Sequence, residues 1–265
     1  MPEGDTVFAA AARLRAALDG QRLTRTQFRI PSLATADLTG RTVTSVRSVG
    51  KHLLIDVGGS DDDDSGLARV SLHSHLKMEG AWHVHPIGTK WRRPGYQARV
   101  VLRTATHEAV GFDLGILELT ETPDQDLAYL GPDLLSAEWE PTEAIRRIEA
   151  RADEPIGTAL LDQRLVAGIG NVYRSELCFL RRVLPTRPVR EVDVTAMVDL
   201  ARRVLWANRL RTARTTTGQT APNARMWVYG RRGQLCRRCG SPIERDQLGS
   251  IGEDRVIYFC RQCQS

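Results

Sequence analysis

Two pairs of cysteines near the C-terminus place the strongest constraint on how this chain folds. Cys236 and Cys239 are separated by two residues, as are Cys260 and Cys263, and twenty residues lie between the pairs. Each pair fits one tight turn, so four thiolates can surround one ion in the tetrahedral arrangement of structural zinc sites. The pattern predicts one structural Zn²⁺ in a module over residues 231–265, because four protein ligands leave no open coordination position for catalysis.

The basic charge is concentrated in the second half of the chain. Residues 141–265 carry 22 arginines, no lysine and 13 acidic residues, a net charge of +9, whereas residues 1–140 have a net charge of −4. Arginine forms paired hydrogen bonds to phosphate, so this half suits a polyanionic partner such as nucleic acid. A GC-rich genome also enriches arginine, and composition alone leaves both explanations open.

The sequence contains no recognisable export signal or membrane span. Its first residues lack a basic stretch ahead of an apolar one, and no apolar run approaches the ~18 residues that a transmembrane helix needs. We therefore expect a soluble, cytoplasmic protein, a setting in which cysteines bind metal or stay reduced. The fifth cysteine, Cys178, stands on the apolar face of a predicted helix and is expected to be a buried thiol.

The first 122 residues have the pattern of a β-sheet domain preceded by one helix. Asp5 or Thr6 can cap that helix. Short apolar and β-branched runs then alternate with glycine, proline or acidic stretches, as in a sandwich or barrel. The predicted strands are Leu23–Ile30, Thr42–Val49, His52–Val57, Leu67–His73, Ala81–His85, Ala98–Arg103, Ala109–Phe112 and Ile116–Leu119. We assign residues 1–122 to an N-terminal β-sandwich domain of an α+β protein.

Residues 123–230 have a helical pattern and form a second predicted domain. The predicted helices cover Pro123–Leu130, Pro141–Ala150, Ile156–Leu161, Asn171–Leu180 and Val194–Leu210. The segment Asp162–Glu176 indicates a helix, a turn with glycines at Gly168 and Gly170, and a new helix that Asn171 can cap. Backbone amides at a helix start bind phosphate, so in this arginine-rich half the turn predicts a contact with the DNA backbone. An ordinary tight turn is the alternative.

Pro2 and Glu3 give the chain a chemically reactive start. Methionine ahead of proline is normally removed, which leaves the secondary amine of Pro2 at the N-terminus beside a carboxylate. An α-amino group has a pKa of roughly 7.7–8.0, so a useful fraction is uncharged at neutral pH and can attack a sugar carbon to form a Schiff base. Many chains begin Met-Pro-Glu without such chemistry, so this start alone decides nothing.

Five motifs stand in a characteristic order along the chain. They are Pro2-Glu3-Gly4, Val49–Leu54 (Val-Gly-Lys-His-Leu-Leu), Ser74–Gly80 (Ser-His-Leu-Lys-Met-Glu-Gly), Leu161–Glu176, and the cysteine module with Arg255 five residues before Cys260. In this order they resemble the formamidopyrimidine-DNA glycosylase/endonuclease VIII family, over residues 1–264. Pro-Glu-Gly resembles the endonuclease VIII branch, whereas the oxidised-purine branch usually begins Pro-Glu-Leu-Pro-Glu. The arginine-rich composition is similar to that of actinobacterial members.

The resemblance implies both a fold and a reaction. It implies a helix-two-turn-helix domain over residues 123–230 and a zinc finger over residues 231–265. It also implies a bifunctional DNA glycosylase and abasic-site lyase that flips a damaged base out of the stack. Pro2 would attack C1′ of the sugar, and the resulting iminium would drive β- and then δ-elimination of the strand. Glu3 matches the family's acid/base carboxylate, which helps to protonate the opening sugar or the departing base.

Five further residues match positions that contact DNA in the family. Lys51 matches a lysine that contacts phosphate beside the lesion, and it is one of only three lysines in this chain. Arg255 matches the finger arginine that clamps the flipped nucleotide and aids δ-elimination, so both join Pro2 and Glu3 in the predicted catalytic set. Asn171 and His75 match phosphate contacts, and Met78 matches the residue wedged into the vacated stack. A structural histidine and a core methionine are the alternatives for the last two.

The chain departs from the family at positions that read the base. Asp5 stands where the family usually has a longer glutamate, and Glu108–Leu114 replaces the Arg-Arg-Phe-Gly loop of the oxidised-purine branch. Without that loop the chain has no evident residues that would recognise cytosine opposite the lesion. We therefore expect a nucleoid-associated bacterial monomer that excises oxidised pyrimidines from damaged duplex or single-stranded DNA. A preference for oxidised purines and a non-catalytic damage-binding protein are the alternatives.

Overall fold

The structure is a computed structural model that describes residues 2–58, 69–249 and 255–265. The helices in these ranges are α1 (Gly4–Leu18), α2 (Pro123–Asp126), α3 (Pro141–Glu149), α4 (Ile156–Ala159), α5 (Asn171–Leu180) and α6 (Val194–Asn208). The strands are β1 (Arg25–Phe28), β2 (Thr42–Val49), β3 (His52–Gly58), β4 (Val70–His75), β5 (Ala81–Pro86), β6 (Ala98–Arg103), β7 (His107–Phe112), β8 (Ile116–Thr120), β9 (Glu244–Leu248) and β10 (Arg255–Phe259).

The chain divides into two compact units. The first comprises residues 1–2 and 6–128, and the second comprises residues 3–5 and 129–265. The three residues that follow Pro2 therefore belong to the second unit, although α1 continues into the first. The three-domain organisation, with borders at 122/123 and 230/231, stays a prediction.

The first unit contains a β-sandwich. Two four-stranded antiparallel sheets have the strand orders β2-β3-β4-β8 and β1-β6-β7-β5. Alternate residues of a strand face the same side, and the inward side chains of both sheets meet in one apolar cluster. Leu53, Ile55 and Leu72 come from the first sheet, and Val100 and Leu102 come from the second. The predicted fold class is confirmed.

Helix α1 covers this core with an apolar stripe but begins earlier than predicted. Leu14 and Leu18, one helical turn apart, belong to the same buried cluster as the sheets. The helix begins at Gly4, so the prediction that Asp5 or Thr6 precedes it as a cap is wrong. The Asp5 carboxylate is instead engaged by distant side chains of the second unit, which are described below.

The second unit is built around α5. Helices α5 and α6 pack together, and β9 and β10 form an antiparallel hairpin that packs on α5. Nine of the ten residues of α5, Asn171–Phe179, are buried. A helix buried on nearly every side has to satisfy its polar side chains within the protein, because water cannot reach them.

The turn before α5 is longer than the sequence indicated. Helix α4 ends at Ala159, and the segment 162–166 consists of turns, so the helix predicted there is wrong. The Asp162 carboxylate accepts from the backbone N–H and the guanidinium of Arg164. Such local side-chain bonds compete with helical ones.

The strand predictions hold to within three residues at each end across the described part of the chain. Thr42–Val49 and Ala98–Arg103 have the predicted ends, while residues 67 and 68 of another predicted strand lie outside the described residues. Within the same ranges, no helix is long and apolar enough to cross a membrane.

Candidate active site

Glu3 caps the N-terminus of α5 from a distant part of the chain. Its Oε1 accepts from the N–H of Val172 at 2.7 Å, and its Oε2 accepts from those of Gly170 at 2.8 Å and Tyr173 at 3.3 Å. Glu3 is completely buried. The first N–H groups of a helix lack partners within it and carry partial positive charge, so a carboxylate is favoured there. The chain directly behind Pro2 is thereby fixed to α5.

The two glycines before α5 allow this approach. The N–H of Gly4 donates to the carbonyl oxygen of Gly168 at 2.9 Å. A Cβ on Gly170 would lie 2.5 Å from Cδ of Glu3, closer than any side chain tolerates. Gly168 has a φ of +108°, which disfavours other residues. The predicted glycine turn is present, but its Gly170 amide and the Val172 and Tyr173 amides of α5 bind Glu3, so these amides are not open to DNA phosphate.

Asn171 begins α5 and does not cap it. The cap position is Gly170, which makes no side-chain cap bond, so the predicted capping role of Asn171 is wrong. The side-chain Oδ1 of Asn171 accepts from Nη2 of Arg174 at 2.9 Å. Because Oδ1 faces Arg174, the Nδ2 donors face the other way, which suits a phosphate acceptor.

Arg174 links Asn171 to the start of β10. Its guanidinium is fully buried, and Nη2 also donates to the carbonyl oxygens of Arg255 at 3.0 Å and Val256 at 3.1 Å. Burial lowers the pKa of Arg174 to about 10, so the group stays charged at neutral pH. The structure thus brings together, through Arg174, the two residues of the second unit for which phosphate contacts are predicted.

Asp5 and Arg214 form an ion pair that the sequence analysis missed. Arg214 donates from Nε to Oδ2 of Asp5 at 2.8 Å and from Nη2 to Oδ1 at 2.5 Å. The Tyr173 hydroxyl donates to the same Oδ2 at 2.8 Å, and the guanidinium carbon lies 4.7 Å from the centre of the Tyr173 ring. Nη1 lies 3.8 Å from Oε1 of Glu3. The only sequence signal was Asp5 itself, which is shorter than the usual glutamate.

The pKa values of this cluster follow from its burial and its charges. Burial, and then the Asp5 carboxylate, raise the pKa of Tyr173, so its hydroxyl keeps the proton that it donates. Burial alone would lower the pKa of Arg214, but Glu3 and Asp5 outweigh that effect and raise it. Arg214 therefore stays charged between the two carboxylates.

In the first unit, Lys51 and His75 lie at adjacent strand ends. Lys51 occupies the turn between β2 and β3, and His75 ends β4 opposite His52, with the two imidazole ring centres 4.9 Å apart. Burial, and then the charges of Lys77 and Lys51, lower the pKa of His75 to about 4, so it is neutral at neutral pH. Its Nδ1 accepts from the N–H of Lys77 at 3.0 Å, which leaves the proton on Nε2.

Met78 is an exposed residue of the turn that follows β4. It is 57% exposed, so the alternative that it is a core methionine is wrong. The turn is closed by the N–H of Gly80, which donates to the carbonyl oxygen of Leu76 at 2.9 Å. An exposed, flexible apolar side chain fits the wedge role, which stays a prediction.

The four C-terminal cysteines form one cluster. Their sulfurs all lie within 4.8 Å of one another, with Cys236 and Cys263 at 3.8 Å and Cys239 and Cys260 at 3.5 Å. Zinc–sulfur bonds of about 2.3 Å in a tetrahedron require sulfurs about 3.8 Å apart, so the geometry fits a metal ion. Hydrogen bonds from Ser241 lower the pKa of Cys239 to about 6, whereas burial raises the pKa of Cys260 and of Cys263.

The other cysteine, Cys178, is separate from this cluster. It lies on α5 and is fully buried, and burial raises the pKa of its thiol to about 12. It is the buried thiol that the sequence predicted.

The comparisons with known proteins identify the family. Residues 1–114 match the formamidopyrimidine-DNA glycosylase N-terminal domain, and residues 130–219 match the formamidopyrimidine-DNA glycosylase H2TH domain. These matches cover most of the chain. The protein therefore belongs to the formamidopyrimidine-DNA glycosylase/endonuclease VIII family, and the resemblance seen in its sequence is confirmed.

Relatives at high identity carry endonuclease VIII-type names. The chain is 50% identical to the DNA-(apurinic or apyrimidinic site) lyase Nei2 of Mycolicibacterium smegmatis, covering 100% of this chain and 99% of the relative. It is 46% identical to endonuclease 8 2 of Mycobacterium tuberculosis, with both chains covered in full. A Lactococcus lactis Fpg structure in complex with abasic-site DNA matches with a TM-score of 0.78 at 22% identity over both full chains, which shows the shared fold.

Adding a methyl group at Gly170 should release Glu3 from α5. We expect Gly170→Ala to lower the free energy of unfolding by about 1–3 kcal/mol, because buried helix amides lose their acceptor. Chemical denaturation checks this. Gly95→Ala is the control, since a Cβ on Gly95 would lie 3.9 Å from its nearest neighbour, a ring carbon of Trp91, which is ordinary van der Waals contact. Equal stability of the Gly170 variant and the parent would contradict the capping geometry.

Proposed function

We propose that the protein is a bifunctional DNA glycosylase and abasic-site lyase of the endonuclease VIII type, acting in base excision repair. One observation carries the proposal: Glu3, buried and bonded to the N–H of Gly170 and to two amides in the first turn of α5, anchors the chain directly behind Pro2. The identity of 50% to a full-length abasic-site lyase supports it. The organisation proposed is a β-sandwich domain (1–122), a helical DNA-binding domain (123–230) and a zinc finger (231–265).

The first chemical step is displacement of the damaged base. After removal of Met1, the uncharged amine of Pro2 attacks C1′ of the flipped nucleotide and forms an N–C1′ bond. The glycosidic bond breaks and the base leaves with the bonding electrons. The base takes up a proton, and the attacking nitrogen gives up its own. Glu3 acts as the acid/base group for the opening sugar or the departing base, because it stands one residue from the nucleophile.

The second step is cleavage of the strand. Opening of the sugar gives an iminium between Pro2 and C1′, which keeps its positive charge because a tertiary nitrogen has no proton to lose. The iminium accepts the electrons released when a C2′ proton leaves, and the 3′ carbon–oxygen bond breaks by β-elimination. A δ-elimination then releases the 5′ phosphate, and hydrolysis of the iminium restores Pro2.

Basic and polar side chains position the DNA for both steps. Lys51 and Arg255 complete the catalytic set by holding phosphates next to the lesion, with His75 and Asn171 as further phosphate donors. His75 would donate as a neutral imidazole from Nε2, since Nδ1 already accepts from Lys77. Met78, exposed in its turn, would fill the space left by the flipped base.

The metal of the cysteine cluster is structural Zn²⁺ in this proposal. Four thiolates leave no open coordination position, so the ion would hold the two turns together and supply no reactive water. It would fix the β9–β10 hairpin, from which Arg255 reaches phosphate.

Covalent trapping tests the nucleophile. Borohydride should reduce the iminium and link the protein to abasic-site DNA, and Pro2→Gly should lose most of this product. Retention of Met1 should also lose most of it, because the nitrogen of Pro2 is then an amide nitrogen and cannot attack. Pro94→Gly, at an exposed proline, is the control and should trap like the parent. Undiminished trapping by Pro2→Gly would show that Pro2 is not the nucleophile and would contradict the proposed mechanism.

Metal analysis tests the zinc assignment. We expect Cys263→Ser to lose bound zinc and to weaken DNA binding, since a four-ligand structural site folds with its metal. Cys178→Ala is the control and should keep the zinc content of the parent, because that thiol lies outside the cluster. Full zinc occupancy in Cys263→Ser would show that the four cysteines do not form one site.

Single-turnover rates on a lesion panel test the substrate preference. We expect thymine glycol or 5-hydroxyuracil to be released faster than 8-oxoguanine opposite cytosine, because the cytosine-reading loop is absent and smaller bases cost less to unstack. A tenfold preference corresponds to about 1.4 kcal/mol in the transition state. Faster release of 8-oxoguanine would assign the chain to the oxidised-purine branch with the Pro2 chemistry unchanged.

A further inference from the structure

Arg214 stands between two buried carboxylates at the start of the chain. Glu3 is 0% exposed and Asp5 is 4% exposed, and the Arg214 side chain is 12% exposed. Two carboxylates so close in sequence and so deeply buried repel each other and lose hydration, so each needs a compensating charge or donor. Arg214 contacts both, with two hydrogen bonds to Asp5 and an ionic contact to Glu3.

The loop that carries Arg214 is itself fixed. The N–H of Thr215 donates to Oδ1 of Asn208 at 2.8 Å, and Nδ2 of Asn208 donates to the carbonyl oxygen of Thr215 at 2.9 Å. The N–H of Thr216 donates to the carbonyl oxygen of Arg225 at 2.9 Å. These bonds place Arg214 before any DNA is present, and the ring of Tyr173 supports its guanidinium.

We propose that Arg214 is a positioning residue for the base-release step. It compensates the charge of the Glu3–Asp5 pair, so that Glu3 stays on the α5 amides one residue from the nucleophilic amine. This inference depends on the proposed function. Asp5 and Arg214 act as one unit, since the guanidinium donates to both oxygens of the Asp5 carboxylate.

The two chemical steps depend on Glu3 to different degrees, which gives the test its readout. Base release needs a proton at the opening sugar or the departing base. At a preformed abasic site the base is gone and part of the sugar is already an open aldehyde, so the Pro2 amine can react without that proton. A positioning residue for Glu3 therefore affects base release far more than strand cleavage at an abasic site.

Full-length, zinc-loaded Arg214→Gln is compared with the parent in single-turnover assays on a thymine-glycol duplex and on abasic-site DNA. We expect base release to slow by about 100-fold and abasic-site cleavage to change by less than about threefold. Arg211→Gln is the control: this exposed arginine of the same loop bonds only to a helix-end carbonyl among the contacts described, and both rates should stay at the parent value. Equal losses in both assays would overturn the proposal, because they would indicate general misfolding.

Two double variants show whether Arg214 acts through the carboxylates. In a Glu3→Gln background, adding Arg214→Gln should slow base release by less than about threefold further, since the group that it positions is absent. Asp5→Asn combined with Arg214→Gln should release base at least about tenfold faster than Arg214→Gln alone, because one buried negative charge is removed. A full additional loss in the first, or no recovery in the second, would overturn the proposal.

The same assays separate this inference from the proposed function. If the parent fails to release base and fails to trap on abasic-site DNA, the proposed function is wrong. If the parent does both, Pro2→Gly does neither, and Arg214→Gln keeps the parent rates, only the role of Arg214 is wrong.

Discussion

The bond between the Glu3 carboxylate and the first amides of α5 is the interaction on which the second unit depends. Each buried N–H that loses its acceptor costs about 1–3 kcal/mol, and Glu3 accepts from three of them. In the proposed mechanism, the acid/base group and the helix cap are thus the same side chain. Replacing Glu3 would therefore disturb the helix cap and the proposed reaction at once. Substitutions at Gly170 and at Arg214 are informative because each changes the surroundings of Glu3 and keeps its carboxylate.

Helix α5 carries two further buried charged side chains that bond to the backbone of other segments. Arg174 donates to carbonyl oxygens of other segments, among them those of Gly157 and Arg255, and Glu176 accepts from the amides of Trp227, Val228 and Tyr229 at 2.8–2.9 Å. Both groups are fully buried, yet each bonds to backbone groups of other segments. Buried charged side chains that bond to backbone atoms fix the surrounding segments more specifically than apolar packing does, because every hydrogen bond has a required direction.

The sequence predicted those features whose causes are local. Cysteine spacing determines the four-cysteine cluster, and alternating apolar residues determine strands such as Thr42–Val49. The partner of the α5 amides was not predictable in this way, because Glu3 and Gly170 are 167 residues apart. Asn171 was assigned as the cap because capping rules consider only neighbouring residues. Arg214 was missed for the same reason, since a charge 209 residues from Asp5 leaves no periodic signal.

In the proposed mechanism, this anchoring also explains how a chain terminus would serve as a nucleophile. A free N-terminal residue samples many conformations, and ordering one residue costs roughly 1–2 kcal/mol in backbone entropy alone. Here the bonds of Glu3 to α5, and of Gly4 to Gly168, are formed in the absence of DNA. Proline adds a fixed φ, so few rotations remain between its amine and the anchored chain. Much of the ordering needed for attack on C1′ is therefore complete before the damaged nucleotide arrives, which is the condition under which positioning accelerates a reaction.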